Sequence, residues 1–204
     1  MEYITSLDEL RAIAGEPRQT ARNKVQRELD EHARDYVTRS RFCLLATAAS
    51  DGSCDVSPRG EPGAIALVLD PSTLVLPDRP GNKRLDSFTN ILQNPHVGLL
   101  FLMPPMTETL RVNGRARLVR HAPYFADLAV DGRLPRLAVE VTVDEVYLHC
   151  AKAFLRSALW QPESWPERES LPSAAQIWRD HAHLSATVEQ IEATLQDGYR
   201  TTLY

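Results

Sequence analysis

Residues 108–119 read ETLRVNGRARLV. Asn113-Gly114 is a strong hairpin-turn dipeptide. A two-residue hairpin there would set Val112 against Arg115, Arg111 against Ala116 and Leu110 against Arg117. Each pair would mix apolar and charged side chains on one face. A single long strand sorts them instead: Leu110, Val112, Gly114, Ala116 and Leu118 share one face, and Arg111, Asn113, Arg115 and Arg117 share the other. Gly114 inside that strand marks a bulge or a close approach by a ligand.

Similar stretches lie on both sides. FCLLATAA (42–49) is followed by Asp51-Gly52, read as a two-residue turn, and then by CDVSPR (54–59). AIALVL (64–69) and TLVLP (73–77) are separated by Asp70-Pro71, and HVGLLFL (96–102) and LAVEVTVDEVYLHC (137–150) complete the set. Many strands at short spacing predict an all-β barrel or sandwich. Residues 1–40 read as helical. Ser6-x-x-Glu9 has capping-box spacing, Gly15 and Pro17 stop that helix, and a second runs from Thr20 to Arg39 with Val25, Leu29, Ala33 and Tyr36/Val37 as its stripe. Pro162, Pro166 and Pro172 mark a connector. One helix over 173–196 then carries Ile177, His181, Leu184, Val188, Ile191 and Leu195, packing on the barrel or a second subunit. The expected division is 1–40, 41–160 and 161–204.

Of 204 residues, 43% are hydrophobic and 25% charged, which excludes wholesale disorder. The net charge of −4 disfavours a nucleic-acid partner and requires any anion site to be a local cluster of cations. Three cysteines without a CxxC suggest neither a disulfide framework nor a zinc site, and Cys43 and Cys54 read as small core residues. The acidic N-terminus lacks an apolar signal region, and the longest apolar run, Val97 to Met103, is too short to span a bilayer. No membrane partner and a cytoplasmic location are expected. HExxH, GxSxG and Walker A sequences are absent. No metal is expected and no catalytic residue stands out, so a cofactor would have to bring the chemistry.

The segment LPDRPGNKRLDSFTNILQNP (76–95) is the most informative for function. Leu85, Phe88, Ile91 and Leu92 give a helical face, with Pro80-Gly81 at its start. Arg79, Lys83 and Arg84 then cluster at a helix N-terminus, where the dipole already places positive charge. Either an anion such as phosphate joins them, or the segment is a charged turn compensated by Asp78 and Asp86. In DVSPRGEPGA (55–64), Ser57 offers a hydroxyl, Pro58 exposes the backbone and Arg59 offers a fork suited to phosphate; the alternative is a plain strand end. The row Arg111, Asn113, Arg115, Arg117 lines a ligand or pairs with carboxylates, with Arg111 the exception in the second case. In HCAKAFLRSALW (149–160), Lys152 and Arg156 share a helix face and Trp160 is placed to stack on an aromatic cofactor; the alternative is a helix packing Phe154 and Leu155.

FCLLATAASDGSCDVSPRG, LPDRPGNKRLDSFTNILQNPHVGLLFLM and TLRVNGRARLV, taken in order, resemble the pyridoxamine 5′-phosphate oxidase-like, FMN-binding split-barrel family over residues 40–160. The resemblance implies a mainly β (α+β) fold: a six-stranded antiparallel split β-barrel with peripheral N- and C-terminal helices. It implies a homodimer with FMN at the interface. Ser57, Pro58 and Arg59 would lie near the flavin and its phosphate, Asn82, Lys83 and Arg84 would hold that phosphate beside Arg79, and Arg111 would border the flavin. Lys152, Arg156 and Trp160 would approach the ring or substrate side from the second subunit. The oxidase's YW-x-SRP-type segment has no counterpart in YFADLAVDGRLPRLAV (124–139), and the chain ends DGYRTTLY without the Arg-containing terminal motif. Pyridoxamine phosphate is therefore not the implied substrate. The expected activity is an FMN-dependent oxidoreductase acting on a small molecule by hydride transfer at flavin N5. The alternatives are a non-catalytic flavin carrier or sensor, or a deazaflavin- or haem-binding split barrel.

Overall fold

The computed structural model describes residues 1–204. Seven strands form one antiparallel sheet: β1 (Phe42–Ala48), β2 (Cys54–Gly60), β3 (Leu67–Asp70), β4 (Thr73–Pro77), β5 (His96–Leu102), β6 (Thr109–Val119) and β7 (Ala138–His149). Their order is β2-β1-β5-β6-β7-β4-β3, and the sheet does not close on itself. This corrects the expected six-stranded barrel. The Asp70-Pro71 turn divides 67–77 into two short strands, and β3 pairs only with β4, so it remains an edge. Ile65 and Ala66, expected in that strand, are buried outside it.

β6 is one continuous strand, paired with β5 on one side and β7 on the other. Its register with β7 shifts after Asn113, because Asn113 faces Glu145 while Gly114 faces Val143. Asp144 is the extra residue of this bulge. The close approach at Gly114 is thus the backbone of the neighbouring strand: a Cβ there would overlap the Thr142 carbonyl oxygen.

The helices are shorter than the periodicity predicts. α1 (Leu7–Ala14) is capped by Ser6 as expected. The helix expected over 20–39 is broken into α2 (Gln19–Asn23) and α3 (Glu31–Arg39). Between them Gln26 exchanges backbone hydrogen bonds with Val146, Leu29 donates to the Pro71 carbonyl, and the Asp30 side chain caps α3. α4 (Asp86–Gln93) packs on β1, β2 and β6, and α5 (Lys152–Ser157) follows β7. The single helix expected over 173–196 is a hairpin of α6 (Ala174–His181) and α7 (Val188–Thr201), broken at left-handed His183 and restarted by a Thr187/Gln190 capping box. Ala175, Ile191 and Leu195 form its own small core, while Ile177 and Leu184 stay exposed. Asp51-Gly52 lies in a loop longer than two residues, closed by the Ala49 amide on the Ser53 carbonyl with Gly52 at φ 86°. No helix is long and apolar enough to cross a membrane.

The main core lies between the sheet's inner face and helices α3 and α4. Cys43, Leu45, Leu99, Phe101, Val112 and Val141 alternate inward from the strands, and Val37, Phe88 and Ile91 meet them. Burial pushes the Cys43 thiol up to about 12, which makes it an inert core group. Cys54 is exposed at the start of edge strand β2, not in the core. Gly114→Ala is expected to destabilise the protein by about 1–3 kcal/mol through overpacking. Gly81→Ala, whose nearest neighbour would be the Arg79 carbonyl at 4.0 Å, should stay within about 0.5 kcal/mol. Urea unfolding midpoints check both.

Candidate functional site

The two ends of the open sheet meet beside α4. Arg79, just past β4, pairs with Glu61, just past β2. Its Nε lies 2.6 Å from Oε1 and its Nη2 lies 3.1 Å from Oε2. The side chains are only 16% and 4% exposed. Arg79 Nη2 also donates to the Leu128 carbonyl at 2.8 Å, tying in the 3₁₀ segment Pro123–Leu128. Around this bridge lies a cleft of about 830 Å³.

Strand β2 supplies one wall. Its register sets Asp55, Ser57 and Arg59 opposite Thr47, Leu45 and Cys43, so all three point toward the core side, under α4. Ser57 Oγ lies 2.9 Å from Ser87 Oγ, and Ser87 donates to Asp55 Oδ2 at 2.6 Å. Arg59 Nη2 reaches Ser57 Oγ at 3.1 Å and Ser87 Oγ at 3.3 Å, and the guanidinium lies 5.4 Å from the Phe88 ring centroid. Burial lowers the Arg59 pKa, opposed chiefly by Asp78; burial raises that of Asp78, opposed by Arg59 and Arg79. Arg59 is thus a desolvated cation without an ion-pair partner.

The second wall is the loop before α4. The helix expected to begin at Pro80-Gly81 begins instead at Asp86, because Lys83 and Leu85 are left-handed at φ 61° and 59°. Of its expected apolar face, Phe88 and Ile91 are buried with Ser87 and Asn90, but Leu92 is 76% exposed and Leu85 precedes the helix. Asn82 Oδ1 accepts from the Arg84 amide at 3.0 Å. The amides of Gly81, Asn82, Lys83 and Leu85, and those of Asp86, Ser87 and Phe88 at the start of α4, have no acceptor within the protein. Lys83 makes no ion pair, whereas Arg84 pairs with Asp86 at 2.7 Å in an exposed position. Six cations (Arg59, Arg79, Lys83, Arg84, Arg133 and Arg136) line the cleft against three carboxylates (Asp55, Asp78 and Asp86). This concentrates positive potential in a chain of net charge −4.

Ser57, Pro58, Arg59, Arg79, Asn82, Lys83 and Arg84 therefore line one cleft. Arg111, Lys152, Arg156 and Trp160 do not. Asn113, Arg115 and Arg117 pair with Glu145, Asp144 and Glu140. Arg111 alone in that row has no carboxylate; it donates to Tyr147 Oη at 2.9 Å. Lys24 lies 5.4 Å from the same ring's centroid. Lys152 and Arg156 are exposed on α5, and Trp160 packs on Phe154 and donates to the Met106 carbonyl at 2.8 Å. Arg133, Arg136 and Tyr204 are cleft residues that sequence reasoning missed. Arg133 and Arg136 follow a tight turn at Asp131-Gly132, where Val130 and Arg133 exchange backbone hydrogen bonds. That dipeptide was a readable signal. Tyr204, with its ring 5.9 Å from the Arg79 guanidinium, had none. No group of three His, Cys, Asp or Glu residues is placed to hold a metal ion.

The family model described as pyridoxamine 5′-phosphate oxidase matches residues 29–150. Among solved structures, a candidate pyridoxamine 5′-phosphate oxidase from Lactobacillus delbrueckii is 24% identical with a TM-score of 0.49, covering 60% of this chain and 95% of its own. HupZ from Group A Streptococcus is 16% identical with a TM-score of 0.46, covering 58% of this chain and 92% of its own. General Stress Protein 26 from Bacillus anthracis is 14% identical with a TM-score of 0.45, covering 57% and 89%. No curated protein matches the sequence.

Glu61→Gln leaves Arg79 as an uncompensated buried charge and is expected to cost about 3–5 kcal/mol in urea unfolding. The exposed Arg84–Asp86 pair makes a control, since surface pairs contribute little. His149 is held below 6.5 by burial first and then by Arg111 and Lys24. The unfolded chain binds that proton more readily, so the site lowers stability as pH falls below 6.5. Lys24→Ala should raise the imidazole titration midpoint seen by NMR; an unmoved midpoint contradicts the electrostatic contact.

Proposed function

The chain belongs to the pyridoxamine 5′-phosphate oxidase family, and from that footing we propose that it binds FMN with the phosphate in the Arg59–Lys83 cleft. The observation that carries this reading is the donor set. Cations outnumber carboxylates around the cleft, and a run of unpartnered amides lies at the start of α4. Such donors suit a phosphate monoester, which brings negative charge and several acceptor oxygens. A neutral or cationic ligand would leave Lys83 without a counter-charge and Arg59 with only the charges of Asp78 and Asp55, neither of them in an ion pair with it.

Bound FMN supplies hydride acceptance and donation at N5. The chain's own part is binding and orientation. The Asp55–Ser87–Ser57 hydrogen bonds fix Arg59, and the left-handed residues Lys83 and Leu85 set the direction of the loop amides. The cleft holds no histidine or cysteine. The roles its lining shows are binding and orientation, which supports a flavin-holding role, as a carrier or sensor. Oxidoreductase turnover on a small molecule is the finer reading, and repeated bleaching of the bound flavin by a reductant in the presence of an acceptor distinguishes it. A deazaflavin would offer the same phosphate; its absorbance spectrum distinguishes it from FMN, as a haem spectrum would.

We also propose that the protein is a homodimer. The outer face of β1, β2 and β5 carries Leu44, Ala46, Leu100 and Leu102, half-buried, with Phe42 at 37% and Val56 at 59% exposure. A second copy would cover this apolar face. In such a dimer Lys152, Arg156 and Trp160 would approach the flavin of the opposite subunit and Arg111 would border a flavin; all four lie outside this subunit's cleft.

Titration of the purified protein with FMN, followed by absorbance and calorimetry, is expected to show saturable binding. Lys83→Ala and Arg84→Ala should each weaken it by about 1–3 kcal/mol, the worth of a charge-assisted contact. An unchanged dissociation constant in both variants contradicts the phosphate assignment. Light scattering should give twice the chain mass, and a monomer contradicts the dimer.

A further inference from the structure

A second cleft, of about 650 Å³, opens beside the first. That volume is in the range of small-molecule sites. The cleft forms where β6 ends and β7 begins. Val119 pairs with Ala138, so Arg120 and His121 leave one strand beside Arg136 and Leu137 entering the other. Its floor is apolar: Leu137 lines it with Phe125, which is buried against Val75, Leu128 and Ala138. Its rim is cationic, and no carboxylate lines it. Arg115 and Arg117, on the preceding strand, are both neutralised by carboxylates. Arg120, His121 and Arg136 have no hydrogen-bond or ion-pair partner within the protein. The two clefts share Leu134, Pro135 and Arg136 as a common wall.

We propose that this second cleft binds an organic anion with an apolar body, its carboxylate or phosphate headgroup held between Arg120 and Arg136. Two guanidinium forks on opposite strand ends match either headgroup, and neither has to give up an existing partner to bind it. The apolar floor selects against small hydrated inorganic anions, which would gain nothing from Phe125 and Leu137. Arg136 also lines the first cleft, whereas Arg120 belongs to the second alone.

The test is a fluorescence titration of the full chain with 8-anilinonaphthalene-1-sulfonate, an apolar anionic dye. Saturable binding is expected, displaced by benzoate or phenyl phosphate but not by benzyl alcohol. The more effective of the two anions identifies the headgroup. The double variant Arg120→Gln/Arg136→Gln should weaken dye binding by about tenfold or more, as the loss of charge-assisted contacts requires, with its unfolding midpoint unchanged. Arg120 lies outside the first cleft, so Arg120→Gln alone should leave FMN affinity unchanged while weakening dye binding. Failure here is thereby separable from failure of the flavin reading. Absence of saturable binding, undiminished binding in the double variant, or displacement by benzyl alcohol as effective as by benzoate would overturn the proposal.

Discussion

The buried pair of Arg79 and Glu61 does the work that a closing ladder would do in a complete barrel. The sheet ends in two unpaired edges, β2 and β3; Glu61 follows the edge strand β2, and Arg79 follows β4, one strand in from the edge β3. A buried ion pair must offset the desolvation of both charges, and it does so only when its remaining polar groups are satisfied. Here the guanidinium is bidentate to the carboxylate and also donates to the Leu128 carbonyl. α4 fills the rest of the gap, with Phe88 and Ile91 in the core and Asn90 donating to Thr47 at 3.1 Å. Because the edges are bridged at a point and not zipped along their length, room remains for a cleft.

The electrostatics of that cleft follow from the same arrangement. Glu61 neutralises the buried Arg79, which serves structure, while Arg84 pairs with Asp86 in an exposed position at the rim, where a ligand anion can compete for it. Arg59, Lys83, Arg133 and Arg136 are left without ion-pair partners, although Arg133 donates to the Tyr204 backbone oxygen. Arg59 is desolvated beneath α4, and Lys83 sits in a loop whose left-handed residues turn successive amides outward. Backbone dipoles at the start of α4 add to the same field. In a chain of net negative charge, this local excess of donors is what recommends an anionic ligand.

Much of the sheet was legible because strand periodicity is local. β5 covers the expected 96–102, and the face-sorting argument for β6 holds along its whole length. The helices were less legible. A stripe such as Val25, Leu29, Ala33 continues through a break, since Leu29 is buried whether it sits in a helix or, as here, in a connection hydrogen-bonded to Pro71. In the C-terminal region the Thr187/Gln190 capping box was readable, but the continuous stripe concealed it. In the site, the period of two places Ser57 and Arg59 on one face. Ser87, Arg133, Arg136 and Tyr204 arrive from distant segments, and no local pattern announces that meeting. Arg111 and Trp160 lie outside this cleft, engaged with Tyr147 and the Met106 carbonyl, and no local pattern in the chain announces those contacts either.

The central claim is that a phosphate group anchors the ligand in the Arg59–Lys83 cleft. The most direct measurement compares FMN with riboflavin, which has the same ring and lacks the phosphate, by fluorescence quenching at matched ionic strength. Several charge-assisted contacts are at stake, so FMN is predicted to bind at least about 100-fold more tightly, with the difference shrinking as salt rises. Equal affinity for the two flavins would contradict the account, because it would mean that the ring alone is recognised and that the cations of the cleft serve some other ligand.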